Sequence, residues 1–234
     1  ARRMALEGFV ALAPDFLSPN GGTPANEDEA RAMFQSLDMA NATANGEATR
    51  AFLAGHEKTN GKVGAIGFCW GGGMVNRMAV ASPELGAGVA YYGSQAPADQ
   101  VPSIKAPLML HYAGLDERIN AGIDAYKAAL DANGKTYELH MYEGVNHAFN
   151  NDTNAARYDK AAADTASSWA PYKVFNIGVV NYTEAIAIEA ATTNHLFTRM
   201  MTTPYQRKCV WSSGFWQVSF VFKRSAIPAF NMHK

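Results

Sequence analysis

A thiol set between glycines is the group in this sequence best suited to covalent chemistry. Gly67-Phe68-Cys69-Trp70-Gly71-Gly72 has the Gly-x-Cys-x-Gly form of a nucleophile elbow. In such a turn the nucleophile takes strained backbone angles, and small residues are needed two positions to either side because side chains there would collide. The free N–H groups opening the following helix would point at the sulfur, favour its thiolate and leave the Trp70 N–H as donor to a developing oxyanion. A thiol at its ordinary pKa is mostly protonated at neutral pH, so the chemistry needs a histidine to take the proton and a carboxylate to orient that histidine. His147 and Asp116 are the candidates. Each of the three also has a plainer reading: a buried inert thiol, a helix-capping aspartate, an ordinary loop histidine. Their order, nucleophile then acid then histidine, each just past an expected strand, favours one acyl-transfer site over three separate accidents.

The elements that must position these residues are legible from periodicity. Residues 62–66 form a short apolar run suited to a buried parallel strand, and 74–80 reads as the helix after Cys69. Residues 107–113 read as a buried strand entering a polar turn at 114–120 that carries Asp116, with a helix expected over about 121–133. Residues 136–142 alternate as a strand should, and the loop 143–149 carries His147. Further strands are expected at 9–13 and 89–92, and helices at 27–37 and 43–59. This alternation predicts an α/β fold, a doubly wound and mainly parallel sheet with helices on both faces.

His111 and His140 fall within expected strands, where a packed, hydrogen-bonded ring is the default, and His56 reads as a surface helix residue. No His, Cys or acidic pair has metal-site spacing and no phosphate-binding glycine loop is present, so no metal, nucleotide or other cofactor is expected. Tyr91, Asn146 and Phe149 lie near the three candidates in sequence and read as substrate contacts, with simple packing as the alternative.

Beyond the elbow, Gly8-Phe9-Val10-Ala11-Leu12-Ala13-Pro14-Asp15, Ala90-Tyr91-Tyr92-Gly93 and Gly144-Val145-Asn146-His147-Ala148-Phe149 occur in an order that resembles the dienelactone hydrolases. These are α/β-hydrolases with a Cys-Asp-His triad, and the resemblance covers about residues 1–164. It implies hydrolysis of an ester or lactone, with Cys69 as nucleophile, His147 as general base and acid, and Asp116 as its partner. The best-known members hold a substrate carboxylate with arginines, one shortly after the triad histidine, where this chain has Asn150-Asn151-Asp152. A neutral ester or lactone is therefore at least as good a candidate substrate as a carboxylated lactone. The family also begins with further strands and a loop supplying a second oxyanion donor. Ala1-Arg2-Arg3-Met4-Ala5-Leu6 resembles the helix after that loop, so those opening strands are expected to be absent. The rival reading follows from this: a non-catalytic remnant of the fold acting as a small-molecule or protein binding module.

A chain of 234 residues, 48% hydrophobic and with net charge −1, has the balance of a soluble globular protein and offers nothing for nucleic acid. Two cysteines do not make a disulfide scaffold. No stretch has the length and apolarity of a membrane span and no signal peptide opens at Ala1, so a cytoplasmic location is expected unless an export signal lies upstream. Oligomeric state is not legible. Charge is unevenly distributed: residues 1–164 carry 13 Lys and Arg against 19 Asp and Glu, whereas 165–234 carry 7 against 2. Motifs and helical period fade at the same place. The chain is thus expected to divide into a hydrolase-like domain at 1–164 and an atypical tail at 165–234, read as not native to the fold with a divergent C-terminal extension as the alternative, and with a strand candidate at 217–222.

Overall fold

The computed structural model describes residues 4–5, 9–169, 187–189 and 218–223. Strands β1 (Phe9–Ala13), β2 (Val63–Phe68), β3 (Ala87–Tyr91), β4 (Leu108–Ala113), β5 (Tyr137–Tyr142), β6 (Ala187–Glu189) and β7 (Val218–Lys223) form one sheet of order β5-β4-β3-β2-β7-β1-β6. Neighbouring strands from β2 to β5 are parallel, as are β1 and β6, whereas β7 lies between β1 and β2 and runs antiparallel to both. The helices are α1 (Glu27–Gln35), α2 (Met39–Ala54), α3 (Trp70–Ala81), α4 (Glu117–Asn120), α5 (Ile123–Ala132) and α6 (Lys160–Trp169).

Successive residues of a strand face opposite sides of the sheet. Ala65, Ala90, Leu108, Leu110 and Tyr112 pack with Leu53 of α2, Met74 and Met78 of α3, and Leu130 of α5. Ile66, Val89, Tyr91 and Met109 pack on the other face with Phe149 and with Ala162 and Ala166 of α6. Both faces are covered, which is the expected doubly wound α/β arrangement.

Local chemistry explains where the helices start. The Asn26 side chain accepts from the N–H groups of Asp28 and Glu29, and three acidic residues fill the first turn of α1, where they complement its dipole. α2 begins at Met39 rather than near Thr43 because Asp38 caps it, accepting the Asn41 N–H at 2.8 Å. The helix expected over about 121–133 is α5, and the polar turn before it holds the further short helix α4, which Asp116 caps, with Ala121 and Gly122 linking the two. The strand expected near 217–222 falls at Val218–Lys223. The proposed division after residue 164 cuts through α6, in which Ala166 is fully buried and its carbonyl accepts from the Tyr91 hydroxyl at 3.2 Å.

The parallel register sets Phe68, Tyr91, His111 and His140 side by side across β2 to β5. Their rings stack in turn, with centroids 4.6, 4.4 and 5.3 Å apart. This ladder lies in the row that ends β2, next to Cys69, and such ring pairs contribute about 0.5–1.5 kcal/mol each beyond simple burial. His111 is the strand histidine the sequence assigns to packing. It is fully buried, pairs through Nδ1 with the Tyr142 hydroxyl at 3.0 Å, and is held neutral by burial, which lowers its pKa to about 3, with His140 adding to the effect.

The unfolded chain protonates His111 near its ordinary pKa of about 6.5, so between that pH and about 3 the unfolded state binds more protons than the folded one. This stabilisation is complete above about pH 6.5 and drains as pH falls, at up to about 1.4 kcal/mol per pH unit. His111→Phe, which keeps a ring in the ladder, should flatten the pH dependence of urea unfolding between pH 6 and 4. Parallel stability curves for the two proteins over that interval would show that His111 is not the responsible group.

Candidate active site

β2 delivers the chain to the elbow at Phe68, and α3 begins at Trp70. Cys69 between them has φ 55 and ψ −116, in the region that favours glycine. A Cβ on Gly67 would lie 2.1 Å from the Gly71 carbonyl oxygen, which is why the sequence needs glycine there. The turn is tied to the next strand by Cys69 N–H donating to the Tyr91 carbonyl at 3.0 Å, and to its own helix by Gly73 N–H donating to the Cys69 carbonyl at 3.1 Å. The expected strain and close approach are both present.

Asp116 follows β4 and is buried, at 8% exposure. One carboxylate oxygen accepts the Ile119 N–H at 3.4 Å as the cap of α4. The other pairs with His147 Nδ1 in a short hydrogen bond. Capping and orientation, which read as alternatives in the sequence, are therefore both made by this one side chain. The turn holding it is braced by Asn120, whose Nδ2 donates to the carbonyls of Ala113 at 2.8 Å and Gly114 at 3.3 Å.

His147 arrives on the loop after β5, which is fastened to the Asp116 turn by Gly114 N–H donating to Tyr142 O at 2.8 Å and Leu115 N–H donating to Val145 O at 3.0 Å. Its Nε2 lies 2.9 Å from Cys69 Sγ. An ionised carboxylate only accepts, so Nδ1 carries the hydrogen toward Asp116 and leaves Nε2 free to accept the thiol proton. The structure thus brings together the three residues that the sequence singled out.

The resting charge state differs from the sequence expectation. The Trp70 N–H does donate to the sulfur and lowers the thiol pKa, as do the fields of Arg118 and Arg157, but burial is the largest effect and the net direction is upward. The helix N-terminus therefore does not by itself secure a thiolate. Trp70 N–H already bonds Sγ at rest, so it reaches an oxyanion only by shifting from sulfur to oxygen.

Tyr91 and Phe149 are 1% and 0% exposed. The Tyr91 hydroxyl is bound to the Ala166 carbonyl, and Phe149 packs against Tyr91, Tyr92 and Tyr142. This corrects their reading as substrate contacts: both belong to the core beneath the site, because they lack surface to offer a ligand. Asn146 is exposed beside His147. The sequence reading passed over Tyr92, whose ring lies 4.9 Å from that of His147; its signal was a second aromatic wedged between a strand end and Gly93. Arg118 and Arg157, whose charges act on Cys69, stand in no motif by which the sequence could single them out. Among the described residues no group of three or more His, Cys, Asp or Glu is gathered as a metal site, and no helix is long and apolar enough to cross a membrane.

The model of the dienelactone hydrolase family matches residues 1–175. The chain belongs to this family. A Methylorubrum extorquens AM1 protein named "Putative carboxymethylenebutenolidase" is 32% identical over 178 residues, covering 70% of this chain and 61% of its own length. "Protein usf" of Aquifex pyrophilus is 35% identical over 172 residues, covering 70% of this chain and 73% of its own. The chain thus spans about three fifths of the first of these relatives. A solved Klebsiella pneumoniae structure, "Putative Dienelactone Hydrolase", superposes with a TM-score of 0.53 at 24% identity, over 61% of this chain and 63% of that one. This supports the α/β-hydrolase fold.

Because burial holds the Cys69 thiol up, its alkylation by iodoacetamide should accelerate with pH through a midpoint above the ordinary thiol value of about 8.5. A rate that is already at its plateau at pH 6 would mean a resting thiolate–imidazolium pair instead.

Proposed function

We propose that this chain hydrolyses a carboxylic ester or lactone through an acyl-enzyme on Cys69. The observation that carries the reading is the continuous hydrogen-bonded line from buried Asp116 through His147 to Cys69, with Nε2 at 2.9 Å from the sulfur. His147 Nε2 takes the thiol proton as the sulfur attacks the carbonyl carbon. The carbonyl oxygen gains charge and accepts from Trp70 N–H, which leaves the sulfur as that atom gives up its own charge. Collapse breaks the C–O bond, and the departing alkoxide takes the proton from His147; in a lactone it stays tethered to the acyl group. Water then gives a proton to Nε2 and attacks the thioester, releasing the carboxylic acid and returning the proton to sulfur.

Asp116 keeps the imidazole in the tautomer that accepts from sulfur and stabilises the imidazolium formed during both steps. A thiol whose pKa burial pushes up suits this sequence, because the sulfur is then best ionised when a carbonyl is present to receive the charge. The name carboxymethylenebutenolidase borne by the Methylorubrum relative supports lactones as one substrate class.

A second reading of substrate choice follows from Arg118 and Arg157, which act on the thiol as positive fields and would equally favour a substrate carrying a carboxylate. Steady-state hydrolysis of a neutral aryl ester beside a carboxylated dienelactone decides between the two. His147→Ala should lower kcat by about 100-fold or more on whichever substrate is turned over, and Cys69→Ala should abolish turnover. No turnover above background by the folded wild-type chain would leave the residues as inert remnants and favour a binding module.

A further inference from the structure

The two hydrogen bonds of His147 fix the line from Nδ1 to Nε2, but they leave the imidazole free to tilt about that line. Something must hold the ring's face. On the assumption that the site performs the acyl transfer proposed above, we infer that Tyr92 is the positioning residue for His147, its ring backing the imidazole and its hydroxyl anchoring the histidine loop.

Tyr92 is itself held where it is. Its φ is 36, a left-handed conformation that persists in a non-glycine residue only where the surroundings impose it. The surroundings do so. Its N–H donates to the carbonyl of His111, within β4, at 2.7 Å. The next residue, Gly93, sits so close to the elbow helix that a Cβ there would lie 2.2 Å from the Gly72 carbonyl carbon. The tyrosine is 2% exposed and touches Phe68, the residue before Cys69, at a centroid distance of 6.4 Å.

The histidine loop is shaped around this ring. Tyr92 lies 4.9 Å from the His147 ring at 58°, and 5.3 Å from the Phe149 ring at 73°. Between these two contacts the chain turns at Ala148, which has φ 68, so His147 and Phe149 reach the same ring from either side of the kink. Beyond it, the Asn150 N–H acts on the Tyr92 hydroxyl, opposing the upward pull of burial on its pKa. Three residues of the loop, His147, Phe149 and Asn150, are thus referenced to one side chain, which is in turn fixed to β4 and to the elbow. The Tyr92 side chain thus spans from Phe68, the residue before Cys69, to His147.

The test uses the intact chain with Tyr92→Leu, which removes the aromatic wall, and Tyr92→Phe, which removes only the hydroxyl, with thermal unfolding followed for each. Ester turnover and the pH dependence of Cys69 alkylation are measured beside Cys69→Ala and His147→Ala. Tyr92→Leu should lower kcat by about tenfold or more with KM within twofold, and move the alkylation profile toward that of His147→Ala. Tyr92→Phe should recover most of the loss while remaining about threefold below wild type. A folded Tyr92→Leu with wild-type kcat and alkylation profile overturns the inference. If Tyr92→Leu does not fold, Tyr92→Phe decides, and wild-type behaviour on both measurements overturns it. The alkylation profile is read whether or not an ester is turned over, and Cys69→Ala with full turnover would indict the acyl-transfer reading rather than Tyr92.

Discussion

The backbone at Cys69 rests on two approaches that no β-carbon could survive. Gly67 lies against the Gly71 carbonyl within the elbow, and Gly72 lies against the Tyr91 carbonyl and Gly93 at the end of the neighbouring strand, where added Cβ atoms would meet backbone at 2.1 to 2.6 Å. The first contact lets the chain reverse from strand to helix within one residue. The second brings the helix so near to β3 that Cys69 N–H can donate to Tyr91. A left-handed non-glycine residue stores about 1–3 kcal/mol, and here two strands and a helix share in holding it. The sulfur consequently sits at the level where the loops after β4 and β5 end.

The features legible in the sequence are those fixed by neighbours a few residues away. The elbow is local, and the order of Cys69, Asp116 and His147 follows from strand succession in a parallel sheet, so all three could be named. The five strands from Phe9 to Tyr142 were visible for the same reason. What stayed hidden depends on contacts across the fold. The cap at Asp38 looked like one more polar residue before an alanine-rich run, and α4 was too short to show a period. Tyr91 and Phe149 were placed near the site by sequence distance, but only packing tells which side of the sheet a ring enters. The upward pull on the thiol is likewise a property of burial, to which the local helix N-terminus gives no clue.

For the segment after residue 164, the origin of the sequence and its place in the sheet are separate matters. Charge balance and loss of motif concern where a stretch of sequence comes from, and on those grounds 165–234 is proposed as foreign to the domain. Strand pairing depends on main-chain donors and acceptors and on residues that tolerate extended backbone. Val218–Lys223, rich in valine and phenylalanine, meets that requirement whatever its origin, and in the sheet it alone joins β1 to β2. Its antiparallel direction sets it apart from the parallel run of β2 to β5 that carries the proposed catalytic residues.

The central claim is that Cys69 becomes acylated during turnover. Acid-quenching the wild-type chain during reaction with an aryl ester of a hindered acid, followed by intact-mass and peptide-mass analysis, tests it most directly. The account predicts one added acyl group, located on the peptide containing Cys69 and released by hydroxylamine as a thioester is. Turnover that proceeds with Cys69 unmodified and the acyl group carried on another residue would contradict it.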